Sequence, residues 1–333
     1  MSNNGSCARK SSVGGQALIE GIMMNGPKGS AIAVRKNDGS IIVEPQSFKH
    51  IKDKYKIFGV PFIRGIVNYI ESMVFGYKSL MRAADLSGQL EAEESPENMS
   101  KLDRWLNDHM GPKLLGVLSG VAMVLAVGIG ILLFAYLPTL VVDLADEHLF
   151  GSRLANFHAL FEGVIRAMII VLYMFIVSRL KDIHRVFMYH GAEHKTITCY
   201  ERGLELTVEN VRGCKRFHPS CGTSFIFIII IVSIIISSIV LLLFPQLGAS
   251  NTVIRLLWVL VKVVVIIPIV TGISYEMIKY AGRHDNIVTK IFSAPGLWMQ
   301  RITTAEPSDD MIEIGIASLK AVITDNPTDD TIG

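Results

Sequence analysis

The chain has 333 residues, half of them hydrophobic and only 19% charged. Soluble domains carry about a quarter of their residues as charged side chains, so this composition indicates that part of the chain lies in lipid. The formal net charge of +2, without clusters of basic and aromatic residues, argues against nucleic acid as the main partner. The cysteines are too few and too unevenly spaced for a disulfide framework, and they are predicted to be reduced thiols or metal ligands: Cys7, Cys199, Cys214 and Cys221.

The first hundred residues predict a small α+β region. Short apolar runs at 31–34 and 41–43 flank an Asp38-Gly39 step, which is the spacing of a β-hairpin. The glycine-rich segment 14–21 lacks the lysine of a phosphate-binding loop, so a nucleotide site is not expected there.

Residues 58–86 predict an amphipathic helix. Its apolar positions recur at helical spacing and include Phe62, Ile66, Ile70 and Val74. Such a helix lies either on the inner surface of a membrane or against a protein core, and the sequence leaves both alternatives open.

Four apolar segments predict membrane-spanning helices. Residues 114–142 and 224–254 contain no charged residue and are longer than the roughly 20 residues that a helix needs to cross the hydrocarbon core. Pro245 is expected to end the second of these helices near residue 247. Residues 159–180 and 253–275 are also apolar but carry charged side chains, so they are weaker predictions.

The charged residues inside these weaker segments need partners. Glu162 and Arg166 are four residues apart, with the glutamate on the amino-terminal side, so they are expected to neutralise each other. Lys262 has no such local partner. A charge within the membrane indicates a functional site or a contact with a neighbouring span.

The distribution of Lys and Arg predicts the orientation. Residues 1–113 contain fifteen of them and 181–223 contain seven, whereas 143–158 contain only Arg153. By the positive-inside rule both chain ends and the loop 181–223 face the cytoplasm, which requires an even number of spans. The chain is therefore predicted to be a multi-pass protein of the cytoplasmic membrane.

The predicted fold is mainly α, a polytopic membrane protein with about four transmembrane helices. The predicted regions are a cytoplasmic part over 1–100, a membrane domain over 101–280 that includes the loop 181–223, and a cytoplasmic tail over 281–333. The tail predicts a helix after Pro307, which is expected to dock on the protein surface.

The loop 181–223 carries the strongest chemical signal. In a helix His190 and His194 are one turn apart and project from the same side, so two imidazoles can reach one metal ion. Glu193 completes the order His-x-x-Glu-His of inverted zinc peptidases, in which the glutamate is the general base. The alternative is a pair of exposed helical histidines.

Downstream residues add possible ligands on the same membrane face. His218 and Cys221 directly precede the third span, and imidazole and thiolate together suit zinc. Glu276, at the inner end of the fourth span, and His284 could complete the site. Alternatively, Cys221 is a small buried residue in a tight turn, and Glu276 reaches the lipid headgroups.

Several blocks of the chain resemble the YqhQ-like family of bacterial membrane proteins. The resemblance covers nearly the whole chain, and the blocks that carry it are 14–27, 189–195, 206–212, 218–225 and 294–304. The family is described as a domain of unknown function, sometimes as a predicted metal-dependent enzyme.

The resemblance also implies a set of shared polar residues. The main set is His190, Glu193, His194, His218 and Cys221, with the companions Glu20, Glu209, Asn210 and Arg212. Family members commonly have a basic residue where this chain has Ser220, and Cys214 is local to this sequence, which weakens it as a ligand. A Glu209–Arg212 helix pair is the alternative to an anion-binding role for Arg212.

Three functions remain open from the sequence. The first is a zinc-dependent hydrolase that acts near the membrane, with Glu193 as its catalytic residue. The second is a scaffold or regulator with a closed structural zinc site made by His190, His194, His218 and Cys221. The third is an ion transporter with Arg166, Lys262 and Glu276 along its path. The expected partners are the lipid bilayer and an unidentified protein or peptide.

Overall fold

The computed structural model describes residues 11–47, 60, 63–89, 112–151, 157–219, 221–244, 252–283, 286–324 and 330. The chain is mainly helical, with a small sheet near its amino terminus. It divides into two compact units. The first comprises Met1–Leu90, Tyr173–Ile228 and Ser274–Gly333, and the second comprises Glu91–Leu172 and Ile229–Ile273.

The sheet of the first unit is an antiparallel meander in the order β1-β2-β3-β4. Its strands are β1 (Gly14–Leu18), β2 (Gly21–Gly26), β3 (Gly29–Arg35) and β4 (Ile41–Gln46). The β3–β4 pair confirms the predicted hairpin, and Gly39 in its connection has φ 86°. The sequence did not predict β1 and β2, because glycines interrupt them and residues 21–24 are buried on both faces, which removes the alternation of apolar and polar side chains.

Helices cover both faces of this sheet. On one face α1 (Ile63–Leu86) contributes Ala83 to a cluster with four strand residues: Leu18, Met23, Ile32 and Val34. On the other face lie α5 (Lys181–Glu201) and α11 (Asp309–Val322), which pack against Ile22, Met24, Ala31 and Ala33. Successive residues of β2 and of β3 thus belong to clusters on opposite faces of the sheet, as the two-residue period of a strand requires.

Helix α1 divides its large apolar residues: Phe75, Leu80 and Leu86 pack against the sheet cluster, whereas others are exposed. Gly65, Gly76 and Ser79 are buried, whereas Ile70 and Val74 are 54% and 45% exposed. The alternative that the apolar positions pack into a protein core is therefore wrong for Ile70 and Val74. Phe62 lies outside the described residues. The exposed face is compatible with the alternative, a membrane surface.

The helix α11 is a core element, not a surface one. Met311, Ile314 and Leu319 are fully buried, and Ile312 is buried in a second cluster with Val211. The prediction of a helix docked on the surface is thus wrong. The sequence placed its apolar residues on one face, but α11 lies between the sheet and other helices and is buried on most of its circumference.

The remaining helices include the long apolar segments. They are α2 (Pro112–Ile131), α3 (Leu137–Ala145), α4 (His158–Val177), α6 (Val208–Arg212), α7 (Thr223–Leu243), α8 (Thr252–Val261), α9 (Ile267–Arg283) and α10 (Ile287–Thr303). Single π-helical turns follow α2, α3 and α8, at Leu132–Tyr136, Asp146–Phe150 and Lys262–Ile266.

Three of these segments are long and apolar enough to cross a membrane. Within the described residues they are Gly120–Phe150, His158–Val177 and Leu256–Met277, which overlap three of the four predicted spans. The fourth predicted span corresponds to α7, whose described apolar stretch, Phe225–Val240, is shorter. The apolar helices are thus compatible with a membrane protein.

Buried charges of the second unit form one cluster. The Glu162 carboxylate accepts hydrogen bonds from Arg166 at 2.5 Å and from Lys262 Nζ at 2.7 and 2.8 Å. The predicted Glu162–Arg166 pair is therefore confirmed, and Lys262 has a partner that is distant in sequence. Arg166 also donates to the Phe134 carbonyl at 2.9 Å, within a π-helical turn.

Candidate metal centre

Three of the predicted ligands come together. His190 and His194 lie one turn apart on α5, and Cys221 lies in the turn before α7, where its N–H donates to the His218 carbonyl at 3.4 Å. One ligand atom from each of the three side chains lies within 4.8 Å of the others. We call His190, His194 and Cys221 the His-His-Cys group.

Backbone carbonyls orient both imidazoles of this group. The His190 Nδ1 atom is 2.9 Å from the Thr303 carbonyl oxygen, and His194 Nδ1 is 2.6 Å from that of Arg216. A carbonyl can only accept, so each Nδ1 carries the proton and each Nε2 keeps a free lone pair. Metal-binding histidines are commonly fixed in this way by the second ring nitrogen.

The ligand atoms of the two imidazoles and the thiol lie close together. His190 Nε2 is 3.3 Å from Cys221 Sγ, and the two imidazole ring centroids are 4.4 Å apart. With bonds of about 2.0 Å to nitrogen and 2.3 Å to sulfur, two ligands of a tetrahedral zinc ion lie ~3.5 Å apart. The His190–Cys221 separation therefore fits both a shared ion and a direct hydrogen bond.

His194 is the most deeply buried member of the group. Its ring is 1% exposed, and Nε2 has no hydrogen-bond partner within the described part of the chain. Burial lowers the pKa of His194 well below its ordinary value, and the His190 and His218 rings lower it further. The imidazole is therefore neutral, which is the form that binds metals.

Glu193 lies beside the group with its carboxylate buried. Its Oε2 atom has no hydrogen-bond partner among the described residues. Burial raises the pKa of Glu193 to about 7, His190 opposes this increase, and Cys221 adds to it. A carboxyl group with a pKa near 7 can both take up and release a proton at neutral pH.

His218 is held in a separate hydrogen-bonded pair. Its Nε2 atom is 3.0 Å from Glu201 Oε2, and the Ser11 N–H and hydroxyl donate to the other oxygen of Glu201. Gln300 fixes the backbone of His218 through two hydrogen bonds of 2.8 Å. The His218 and His194 ring centroids are 5.9 Å apart, so His218 borders the His-His-Cys group but is not in it.

Glu276 forms an ion pair instead of joining the group. Its carboxylate accepts two hydrogen bonds from Arg64, at 2.5 and 2.6 Å. Both side chains are about a quarter exposed. His284 lies outside the described residues.

Three of the four polar companions implied by the resemblance have side-chain partners in the structure. Glu20 accepts hydrogen bonds from Arg185 and from the Tyr189 hydroxyl. Arg212 pairs with Asp309 at the start of α11, at 2.5 and 2.9 Å, whereas the sequence left a Glu209–Arg212 helix pair open as an alternative. The side chain of Asn210 donates to the Glu205 carbonyl at 2.9 Å.

A partly open cavity of about 410 Å³ contains the site. Its polar lining residues are Gln16, His190, Glu193, His194, His218, Cys221 and Thr303. Its apolar lining comes from the β1 region and from α4 and α5, and includes Val13, Ala17, Met174, Val186, Phe187 and Ile197. The His-His-Cys group and Glu193 therefore face one space that a ligand can enter.

Several residues that build the site were not predicted. Glu201 and Gln300 act through His218, and Thr303 acts through its backbone carbonyl, so none belongs to a ligand motif. Gly15 is required because a Cβ atom there would lie 2.9 Å from Glu193 and 2.8 Å from the Met23 carbonyl oxygen. The only signal in the sequence was that Gly15, Gln300 and Thr303 lie in blocks that resemble the family.

Comparisons with known proteins agree with the resemblance. Residues 60–325 match a family model described as a protein of unknown function, DUF1385. The chain is 33% identical over 313 residues to the uncharacterized protein YqhQ of Bacillus subtilis (strain 168), and this match covers 93% of the chain and 92% of that protein. No solved structure matches significantly.

Proposed function

The chain belongs to the DUF1385 family of proteins of unknown function, and from its His-His-Cys group we propose a membrane-embedded, metal-dependent hydrolase. The substrate bond is a peptide or similar amide bond. The observation that carries the proposal is the pair of carbonyl-anchored histidines, each with a ligand atom within 4.8 Å of one thiol. Zinc is the expected ion, because it suits imidazole and thiolate ligands.

The number of ligands favours catalysis over a structural role. Catalytic zinc sites have three protein ligands and one open position, whereas structural sites have four. Here three side chains converge, and the fourth residue of the closed-site hypothesis, His218, is hydrogen-bonded to Glu201. The scaffold hypothesis would require His218 to move closer to the other three ligands.

Glu193 has the position and chemistry of a general base. A bound divalent ion would polarise the substrate carbonyl and make water more acidic. Glu193 takes a proton from the attacking water and delivers it to the leaving nitrogen, so the hydroxyl joins the carbonyl carbon as the C–N bond breaks. No redox partner is needed, and the glutamate is regenerated in each cycle.

The metal site is tested by measuring the metal content of the full chain, purified in detergent with added zinc chloride. We expect His190→Ala, His194→Ala and Cys221→Ser each to lose bound zinc, because each removes one of three ligands. His218→Gln should retain it, since glutamine can still hydrogen-bond Glu201. A wild-type protein without zinc would contradict the proposal, and equal loss in His218→Gln would support a closed structural site.

The catalytic role is tested with Glu193→Gln. This variant keeps the shape of the side chain but cannot accept a proton, so it should retain zinc and lose hydrolysis of quenched fluorescent peptides. The loss expected for a general base is about 10²- to 10⁴-fold. Unchanged turnover in Glu193→Gln would remove this residue from the mechanism.

Placement in the cytoplasmic membrane is part of the proposal. Val124 and Leu242 are more than 70% exposed on long apolar helices, and such helices are stable in lipid rather than in water. The distribution of Lys and Arg favours four spans, with both chain ends and the metal site on the cytoplasmic side. The reducing environment there would keep Cys221 free to bind metal.

A further inference from the structure

Strand β1 forms one edge of the sheet, directly beside the candidate metal centre. Its register with β2 pairs Leu18 with Gly21 across a two-residue turn, where Glu20 has φ 51°. The pair that closes such a turn exchanges hydrogen bonds, and bonded and non-bonded pairs then alternate. Gly15 and Ala17 therefore direct their N–H and C=O groups away from β2. No described residue pairs with them by backbone hydrogen bonds.

The two edges of the sheet differ in their protection. On the opposite edge, β4 carries Pro45 across from Ala31, in a non-bonded position where its nitrogen faces outward without a proton. Proline and charged residues are common devices that prevent another strand from pairing with an edge. Strand β1 has the sequence Gly-Gly-Gln-Ala-Leu and contains neither.

The open edge and the candidate site border the same space. Residues 13–17 line the cavity along one side, and α5 lines it with Phe187, His190 and Glu193. Gly15 brings the backbone of β1 close to the Glu193 side chain, since a Cβ atom there would lie 2.9 Å from it. A chain paired with β1 would lie about 4.8 Å from this backbone, next to the carboxylate.

We propose that the groove between β1 and α5 binds an extended polypeptide, which adds to the sheet as a strand beside β1. The backbone groups of Gly15 and Ala17 bind its main chain, and alternate side chains contact the apolar wall formed by Met174, Val186 and Phe187. The identification of this polypeptide as the substrate rests on the proposed function. The substrate class is then an unfolded or extended segment, because a folded helix has no free backbone groups to pair.

Ala17→Pro tests the added strand. It removes the outward N–H of β1 and leaves the β1–β2 hydrogen bonds intact, as Pro45 does in β4. Ala17→Ser is the matched control, which changes the side chain but keeps the N–H. The probe is a panel of short fluorescein-labelled peptides in which Val, Leu or Phe alternates with Ser, and binding to the full chain is measured by fluorescence anisotropy.

We expect members of this panel to bind the wild type and Ala17→Ser equally, and to bind Ala17→Pro about tenfold more weakly, from loss of one or two hydrogen bonds. N-methylation of the peptide at alternate residues should abolish binding in one register and have no effect in the other. No binding to the wild type, or equal binding to Ala17→Pro, would overturn the proposal.

The same measurement with zinc removed by chelation separates this proposal from the metal-dependent hydrolase. Strand pairing uses backbone groups only, so peptide binding should persist in the zinc-free protein. Peptide binding by a protein that never binds zinc would refute the hydrolase and leave the strand proposal standing. Zinc binding without peptide binding to either form would refute the strand proposal alone.

Discussion

Gly15 is the residue at which the sheet and the candidate site depend on each other. The buried Glu193 carboxylate occupies the space in which any other residue would place its Cβ atom. The absence of a side chain at this position therefore allows α5 to bring its glutamate against the sheet. Gly14 has no such constraint, because a Cβ atom there would meet nothing within 4 Å.

This contrast predicts different effects for the same glycine-to-alanine substitution at the two positions. Gly15→Ala should destabilise the protein by about 1–3 kcal/mol, the usual cost of excess volume in a packed region, and should displace Glu193. Gly14→Ala should have little effect on stability. Thermal unfolding of the full chain in detergent, together with zinc content, gives the comparison.

The ligands of the His-His-Cys group are farther from the alanine than Glu193 is, so Gly15→Ala should keep zinc while it loses hydrolysis. Equal unfolding temperatures for the two alanine variants would contradict the packing argument.

The sequence predicted part of the site because some of its geometry is local. Helical spacing places His190 and His194 on one side of α5 whatever the rest of the fold does. The carbonyls of Thr303 and Arg216 could not be predicted, because every residue has a carbonyl and only the fold decides which one meets a ring. The same holds for His218, which sequence reasoning grouped with the ligands and which pairs with Glu201 in the structure.

At the level of elements, the spacing of apolar residues predicted where helices form, but it did not predict what those helices pack against. The apolar stripe of α11 was visible in the sequence, but a stripe reports only that one face is buried. Helix α1 shows the reverse case, since Phe75, Leu80 and Leu86 pack against the sheet cluster whereas Ile70 and Val74 are exposed. Helical spacing alone did not show which of its apolar residues meet the sheet.

The buried charges of the apolar helices show an asymmetry that can be tested. Glu162 lies between two cations, Arg166 and Lys262, with direct ion pairs to both, and its side chain is buried. Removal of the anion leaves two buried cations near each other, whereas removal of Lys262 leaves the Glu162–Arg166 pair. Breaking a buried ion pair typically costs 3–5 kcal/mol because the remaining charge is uncompensated.

We therefore expect Glu162→Gln to lower the unfolding temperature of the detergent-solubilised protein more than Lys262→Met does. The double variant should be more stable than Glu162→Gln alone, since only Arg166 then lacks its anion. Thermal unfolding followed by size-exclusion chromatography measures all three. A larger loss in Lys262→Met than in Glu162→Gln would show that the lysine has a role beyond neutralising Glu162.

At the scale of the whole molecule, the order of segments constrains the number of spans. The first unit is assembled from three separate segments, Met1–Leu90, Tyr173–Ile228 and Ser274–Gly333. If the apolar helices cross a membrane as we propose, and the three segments lie on one side of it, the chain between them crosses it an even number of times. Two apolar helices lie in the first interval, and α7 with Leu256–Met277 supplies two for the second. This parity favours α7 as the fourth span.

The resulting orientation predicts opposite accessibility for two exposed positions. Lys215, in the segment that carries the metal site, should face the cytoplasm, and Glu147, at the end of the first apolar helix, should face the other side. In intact cells a membrane-impermeant maleimide should label Glu147→Cys but not Lys215→Cys, and inside-out vesicles should reverse the result. The wild type controls for the native cysteines, of which Cys199 and Cys214 are buried. Labelling of both positions from one side would exclude an odd number of crossings between them and with it the four-span arrangement, and labelling of Lys215→Cys in intact cells would exclude the cytoplasmic site.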